Sequence, residues 1–163
     1  MQITKLSSMY EVRRLSEEDV DAVVRLCSGN PLFYEYHPPV ANRQSILADM
    51  KALPPGKDYD DKFYLGFYDG TELVAVMDLI LHFPADKIAY IGFFMMESKC
   101  QGHNVGTAII RACVAYLKEI GFTKVRLGID KGNPQSRAFW TKNEFVLLEG
   151  NPDGPYQSME RVL

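Results

Sequence analysis

The sequence holds no cysteine pair at redox or metal spacing. Its three cysteines, Cys27, Cys100 and Cys113, stand far apart with no C-x-x-C among them. That excludes a disulfide framework or a zinc ribbon as the organising element, and the odd count fits a reducing, cytoplasmic setting. His82 and His103 have no partner at ligand spacing, so no metal is assigned. There is no basic surplus: 18 Lys and Arg stand against 21 Asp and Glu, a formal charge of −3. This speaks against a nucleic-acid partner. No apolar run approaches the roughly 20 residues of a membrane span, and no basic-then-apolar leader opens the chain, so neither a membrane partner nor export is expected. Gly-Lys-Ser/Thr is missing, and so is Gly-x-Gly-x-x-Gly, which removes the P-loop nucleotide binders and the Rossmann dinucleotide binders. Repeats and low-complexity segments are absent too.

What remains is an ordinary globular composition. The 163 residues are 47% apolar and 24% charged. One domain spanning 1–163 is expected, with a core large enough to need no staples.

Tyr10 to Leu15 predicts a first strand. Ser16-Glu-Glu-Asp19 has the form of a capping box, and Val20, Val23, Val24 and Cys27 then make one apolar stripe of a helix ending at Gly29-Asn30-Pro31. An aromatic segment follows from Leu32 to Val40. A second helix carries Ile46, Leu47 and Met50 and stops at Pro54-Pro55-Gly56. Phe63 to Phe67 and Glu72 to His82 predict two strands turned at Asp69-Gly70. Ile88 to Met96 is apolar on both faces and reads as a central strand covered on both sides. A third helix runs from Thr107 to Ile120 with Gly121 as its C-terminal stop. Val125, Leu127 and Ile129 alternate in the next strand, Asn133 and Pro134 open a fourth helix, and Phe145 to Leu148 and Tyr156 to Leu163 are last strands on either side of an Asn-Pro-Asp-Gly-Pro loop. The order β-α-α-β-β-β-α-β-α-β-β predicts an α/β fold, a central mixed sheet with helices on both faces. Cys27 and Cys113 fall on the apolar helical faces, as small core residues do.

Two segments carry chemistry. The first joins the central strand to the third helix: Met95-Met96-Glu97-Ser98-Lys99-Cys100-Gln101-Gly102-His103-Asn104-Val105-Gly106-Thr107. A strand that stops, a loop with small residues and a helix start form a phosphate-binding geometry, because the first N–H groups of a helix are unpaired and carry partial positive charge. A plain strand-to-helix turn would look similar on spacing alone. The second segment follows the next strand and is Asn133-Pro-Gln-Ser-Arg-Ala-Phe-Trp-Thr-Lys-Asn-Glu-Phe145.

Taken together, the two segments resemble the GNAT superfamily of N-acyltransferases. Gln101-x-x-Asn104-x-Gly106 is similar to that family's acyl-CoA loop, Arg/Gln-x-x-Gly-x-Gly/Ala. Asn133-x-x-Ser136-x-x-Phe139-Trp140-x-Lys142-x-Glu144-Phe145 resembles its later motif, Asn-x-x-Ala-x-x-Leu-Tyr-x-Lys-x-Gly-Phe, in register throughout. The resemblance extends over most of the chain and implies the same element order. It implies acetyl-CoA as co-substrate, with the loop residues Gln101, Gly102, His103, Asn104, Val105, Gly106 and Thr107 on the pyrophosphate. The backbones of Phe94, Met95 and Met96 would lie on the pantetheine arm and thioester, and Asn133, Ser136, Phe139, Trp140 and Lys142 would complete the cofactor side. Asn104 stands where the family has Gly, and Asn is among the residues best able to take a positive φ. Trp140 stands where the family has a Tyr that protonates the departing thiolate. An indole N–H cannot serve as that acid, so Tyr156 and Tyr90 are alternative donors. Glu144 replaces another Gly and reads as a surface change.

The acceptor must lose a proton before it attacks, since an alkyl amine has a lysine-like pKa of about 10.4. Candidate bases are Glu97, Asp78, Glu35 and His37, or a water relay. Glu97, Trp140 and Tyr156 are the residues assigned to the catalytic centre. Phe33, Tyr34, Tyr36, His37 and Asp78 are assigned to the acceptor, because the segment Leu32 to Lys57 carries aromatics and no phosphate chemistry and suits a small, partly apolar or cationic amine. The expected function is N-acetyl transfer to a primary amine of a small molecule or peptide, within a ternary complex. Self-association as a homodimer stays open. The competing function is a non-catalytic module that senses acyl-CoA. A catalytic thiol at Cys100 is the less favoured chemistry.

Overall fold

Ser16 and Asp19 close the capping box that their spacing predicts, with Asp19 Oδ2 accepting from the Ser16 backbone N–H at 2.8 Å. In the computed structural model, which describes residues 1–150 and 154–163, this box launches the first helix from the end of the first strand. The elements follow as β1 (Glu11–Arg14), α1 (Val20–Ser28), α2 (Pro31–Tyr34), α3 (Arg43–Lys51), β2 (Lys62–Asp69), β3 (Glu72–Ile80), β4 (Ile88–Met96), α4 (Val105–Glu119), β5 (Lys124–Asp130), α5 (Pro134–Lys142), β6 (Val146–Leu147) and β7 (Tyr156–Val162). The expected order holds, with α2 added inside the aromatic segment. That turn forms because Pro31 sits at a first helical position, where its missing N–H is no loss. Part of the Asn-Pro-Asp-Gly-Pro loop before β7 lies outside the described residues.

The seven strands form one mixed sheet in the order β1-β2-β3-β4-β5-β7-β6, with β4 and β5 parallel and every other neighbouring pair antiparallel. Helices cover both faces. Ile109, Ile110, Cys113 and Leu117 of α4 and Trp140 of α5 pack with Ala75, Met77 and Leu79 of β3. Val20, Val23, Leu26 and Cys27 of α1, Tyr34 and Ile46 pack on the other face with Tyr64, Val76 and Met95. The period-2 alternation along β3 is what divides these two cores. Burial pushes the Cys113 thiol up to about 12, as expected of an inert core cysteine. Gly70 and Gly121 both have positive φ, 59° and 95°, at the hairpin and at the end of α4. Among the described residues no helix is long and apolar enough to cross a membrane.

One departure matters for the site. β4 is central, but it is not covered along its whole length. Ala89, Ile91, Met95 and Met96 are buried, while Phe93 and Phe94 are only half-buried and Gly92 is exposed. The cause is the seam with β5. Pairing covers Ile88↔Lys124 to Ile91↔Leu127 and then ends, so the strands diverge. At the same point β4 carries a bulge opposite Asp78 and Leu79 that leaves Gly92 unpaired.

Candidate active site

The divergence of β4 from β5 opens a cavity of about 860 Å³. Its floor is Gly92 to Met96 on one side and Leu127 to Asp130 on the other. Backbone groups alternate along a strand. Glu97 donates its N–H to Val74 O on β3 at 2.9 Å, so the backbone groups of Met96 and Phe94 turn the other way, into the gap. The Met96 carbonyl is found there, accepting from Asn30 Nδ2 at 2.9 Å. Asn30 is buried, also donates to Leu26 O, and accepts from Gln101 Nε2, so it ties α1, β4 and the loop at one point.

At that end of the gap lies the loop from Gln101 to Asn104. Asn104 adopts the left-handed conformation, φ 61° and ψ 7°, and is the N-cap residue of α4. It does not cap the helix with its side chain, which accepts from Lys142 Nζ at 2.7 Å instead. By contrast Asn42 and Asn133 accept from backbone N–H groups at the starts of α3 and α5. The first N–H groups of α4 therefore remain available to a ligand anion, with the Lys142 ammonium alongside. Gly106 sits where a Cβ would land on the Met96 sulfur and come within 3.1 Å of Phe139. The start of α4 is therefore packed closely against β4 and α5, with no room for a side chain at this position.

The opposite wall is polar and aromatic. His37 Nδ1 lies 3.0 Å from Asp130 Oδ1, with the Phe33 ring 5.4 Å and the Tyr156 ring 6.2 Å from the imidazole. Asp78 is buried under Gly92, whose absent Cβ would stand 2.8 Å from Asp78 Oδ2. Lys62 Nζ holds both its oxygens, at 2.9 and 2.8 Å. Burial raises the Asp78 carboxyl above its ordinary value, and Lys62 opposes that rise. Asp49, on α3, is open to solvent through the cleft mouth but flanked by its walls. The partial desolvation raises its pKa, against the pull of Lys62 and His37.

The comparisons agree with this geometry. The model of the acetyltransferase (GNAT) family matches residues 30–145. The chain belongs to the GNAT family. A GNAT domain implies acyl transfer from CoA, and the solved structures that resemble this one carry the same fold. An acetyltransferase from Thermus thermophilus superposes with a TM-score of 0.81 at 16% identity, covering 95% of this chain and 97% of that one. The PaiA N-acetyltransferase from Thermoplasma acidophilum, in complex with coenzyme A, gives 0.70 at 18% identity over 94% and 99%. The ribosomal-protein-S18-alanine N-acetyltransferase from Escherichia coli gives 0.65 at 12% over 95% and 93%. No curated protein sequence matches the chain.

Within the GNAT frame the expected site residues divide. Phe94, Met95, Met96, Gln101, Gly102, Asn104, Val105, Gly106, Thr107, Ser136, Phe139, Trp140 and Lys142 line the cavity, as do Phe33, His37, Asp78 and Tyr156 on the acceptor side. Others do not. Glu97, expected as a base, accepts from Ser98 Oγ at 3.1 Å and sits beside Gly29, off the cavity wall. Glu35 lies outside it as well. His103 points to solvent at the loop tip. Asn133 is 3% exposed and capping α5, accepting from the Ser136 N–H at 3.0 Å. Tyr34 is 8% exposed, edge-on to Phe33 and hydrogen-bonded to Cys27 in the α1 core, and Tyr36 faces outward. The short turn of α2 aims Phe33 at the cavity and sends the next side chain, Tyr34, down into the α1 core. Trp140 lines the cavity but is 7% exposed, packed against Phe94, Phe139 and Phe145. Burial raises the Cys100 thiol and Tyr90 hydroxyl, so Cys100 is no ready thiolate.

Sequence reasoning missed Asn30, Asp49 and Asp130. Asp130 had a signal, since ligands in sheets of this type gather at the carboxyl ends of strands. Asn30 read only as a helix stop, and Asp49 lies on a helix face that no pattern distinguishes.

Proposed function

We propose that this GNAT protein transfers an acetyl group from acetyl-CoA to a primary amine of a small molecule or peptide, by direct attack in a ternary complex. The observation that carries this reading is the uncapped start of α4 opening onto the end of the β4–β5 gap, with Lys142 beside it. Pyrophosphate would take the free N–H groups of α4, and the pantetheine arm would follow the gap. The backbone N–H groups of Phe94 and Met96 face that gap and could donate to the thioester oxygen as charge develops on it. The neighbour solved with coenzyme A supports the cofactor.

The acceptor would enter past Phe33, His37 and Tyr156, opposite the loop. Once deprotonated, its nitrogen attacks the carbonyl carbon, the C–N bond forms and the C–S bond breaks. A thiol pKa near 8.5 makes thiolate a fair leaving group, so the position of Trp140, which carries no acid, is compatible with turnover. Tyr156 and Tyr90 line the cavity as hydroxyl donors.

CoA release measured with acetyl-CoA and a panel of primary amines tests the reading, alongside calorimetric titration with CoA. Turnover with at least one amine is the expected result. Tight CoA binding with no turnover on any amine would favour the sensing module, and no CoA binding would overturn both.

A further inference from the structure

His37 and Asp130 come from distant parts of the chain. One follows α2, the other ends β5, and they meet at 3.0 Å across the cleft mouth. Asp130 is 9% exposed, whereas the His37 side chain is 46% exposed. A carboxylate only accepts hydrogen bonds, so the pair fixes the tautomer: Nδ1 carries the proton and donates it to Asp130. Nε2 is left as a proton acceptor. Phe33 and Tyr156 hold the ring from two sides, at centroid distances of 5.4 and 6.2 Å. Phe33 in turn stands edge-on to Phe93 of β4, at 6.3 Å, which brings the imidazole to the open floor of the gap.

Within the acetyl-transfer reading just given, on which this rests, we infer that His37 is the base that removes the acceptor's proton and that Asp130 is the residue that positions it. The acceptor enters as an ammonium. One proton passes from its nitrogen to His37 Nε2, directly or through one water, and leaves later to solvent. The free amine attacks the thioester carbon. The second proton shed by the nitrogen ends on the CoA sulfur as the C–S bond breaks. The ring has charged or titratable neighbours on three other elements: Asp130 on β5, Tyr156 on β7 and Asp49 on α3. Asp130 is the one within hydrogen-bond distance of its nitrogen. Glu97, the acid that strand position favours as a base, lies off the cavity, so the dyad takes that role instead.

The test uses the whole chain, acetyl-CoA and an amine found active in the panel. His37→Gln keeps a similar volume on an exposed segment and is expected to fold. It should lower kcat by roughly 10²- to 10⁴-fold, the usual contribution of a positioned base, with CoA affinity unchanged. The kcat–pH profile of the unaltered protein is expected to fall on its acid side, and His37→Gln should remove that limb. Asp130→Asn should lower kcat while the acceptor KM stays within about twofold, since a positioning role acts on the transition state. A His37→Gln variant that keeps kcat and its pH profile overturns the inference and leaves acetyl transfer standing. So does one that changes only the acceptor KM, because His37 would then merely bind. A wild-type chain that releases CoA with no amine overturns both.

Discussion

Two residues at glycine positions of the family pattern, Asn104 and Glu144, hold left-handed backbones. Asn104 was expected to take a positive φ and does, at 61°. Glu144 read as an inert surface change, yet its φ is 68°, in the turn that ends α5. A left-handed backbone strains any residue with a Cβ, by about 1–2 kcal/mol. The Glu144 carboxylate pairs with Arg161 at 2.6 Å, but its side chain is 66% exposed, and exposed pairs contribute little. Glu144→Gly is therefore expected to stabilise the protein, raising Tm by about 2–4 °C for a gain near 1 kcal/mol; thermal unfolding followed by circular dichroism reads this, and a lowered Tm would mean that Arg161 matters more than the backbone. Gly106 is the opposite case, a glycine kept for space. Adding the methyl of Gly106→Ala presses on the Met96 sulfur and on Phe139, both of which line the cavity. A CoA Kd at least about tenfold weaker, some 1.4 kcal/mol, is expected by calorimetry with the fold intact. Unchanged affinity would mean that the close packing there has no bearing on the ligand.

Among elements, the strands and long helices were readable because their apolar periods are clean. β4 was expected over the residues it occupies, and α4 extends two residues further toward its loop than its apolar stripe suggests. The aromatic segment was harder. Its tyrosines looked like acceptor contacts, but α2 could not be read from a run of aromatics and prolines, and that turn sends Tyr34 into the core. The pairing of β2 with β3 was legible as a hairpin, whereas its buried consequence was not. Tyr64 and Asp78 are cross-strand partners, and Lys62 reaches Asp78 from two residues along. Lys62→Met leaves Asp78 buried without its cation, which costs about 3–5 kcal/mol. The carboxyl is already raised by burial, so it escapes part of this by taking a proton. For an acid whose folded pKa is raised, stability falls as pH rises through that pKa. The loss in Lys62→Met should therefore be full at neutral pH and shrink on acidification. Urea unfolding at several pH values checks it, and a pH-independent loss would show that Asp78 stays ionised without Lys62.

For the whole molecule, the order of elements could be read from the sequence but the sheet order could not, because nothing in the sequence states which strands become neighbours. The site depends on that order: β5 lies between β4 and β7, so Asp130 and Tyr156 meet His37 there. The same arrangement places Glu160 of β7 against Lys124 and Arg126 of β5, with Lys124 Nζ at 2.8 Å. Burial alone would lift the Glu160 carboxyl, but the hydrogen bonds and charges of Lys124 and Arg126 prevail and hold it below its ordinary value. A depressed acid contributes stability above its unfolded pKa, about 4.3 for Glu, and that stability is lost as pH falls through the lower folded value. Glu160→Gln should thus be less stable than the wild type at pH 7, with the two curves converging below about pH 4. Denaturant midpoints across that range decide it; parallel curves would mean that the pair contributes no pH-dependent stability.

The short seam between β4 and β5 also bears on how the protein unfolds. Only four residue pairs join the two strands. The sheet is therefore two leaves, β1 to β4 and β5 to β7, stitched at one end and held apart at the other. A ligand lying in the wedge would reach both leaves and act as a keystone, so affinity and mechanical unity become one property. At a hundredfold excess over Kd such a ligand adds about 2.7 kcal/mol. Hydrogen exchange should show where: the amides of Gly128 to Asp130 and of Phe94 to Met96 should slow together when CoA is added, while those of β2 slow no more than the rise in global stability requires. Slowing confined to the loop at α4 would mean that the ligand rests on the rim and the leaves are joined by the protein alone.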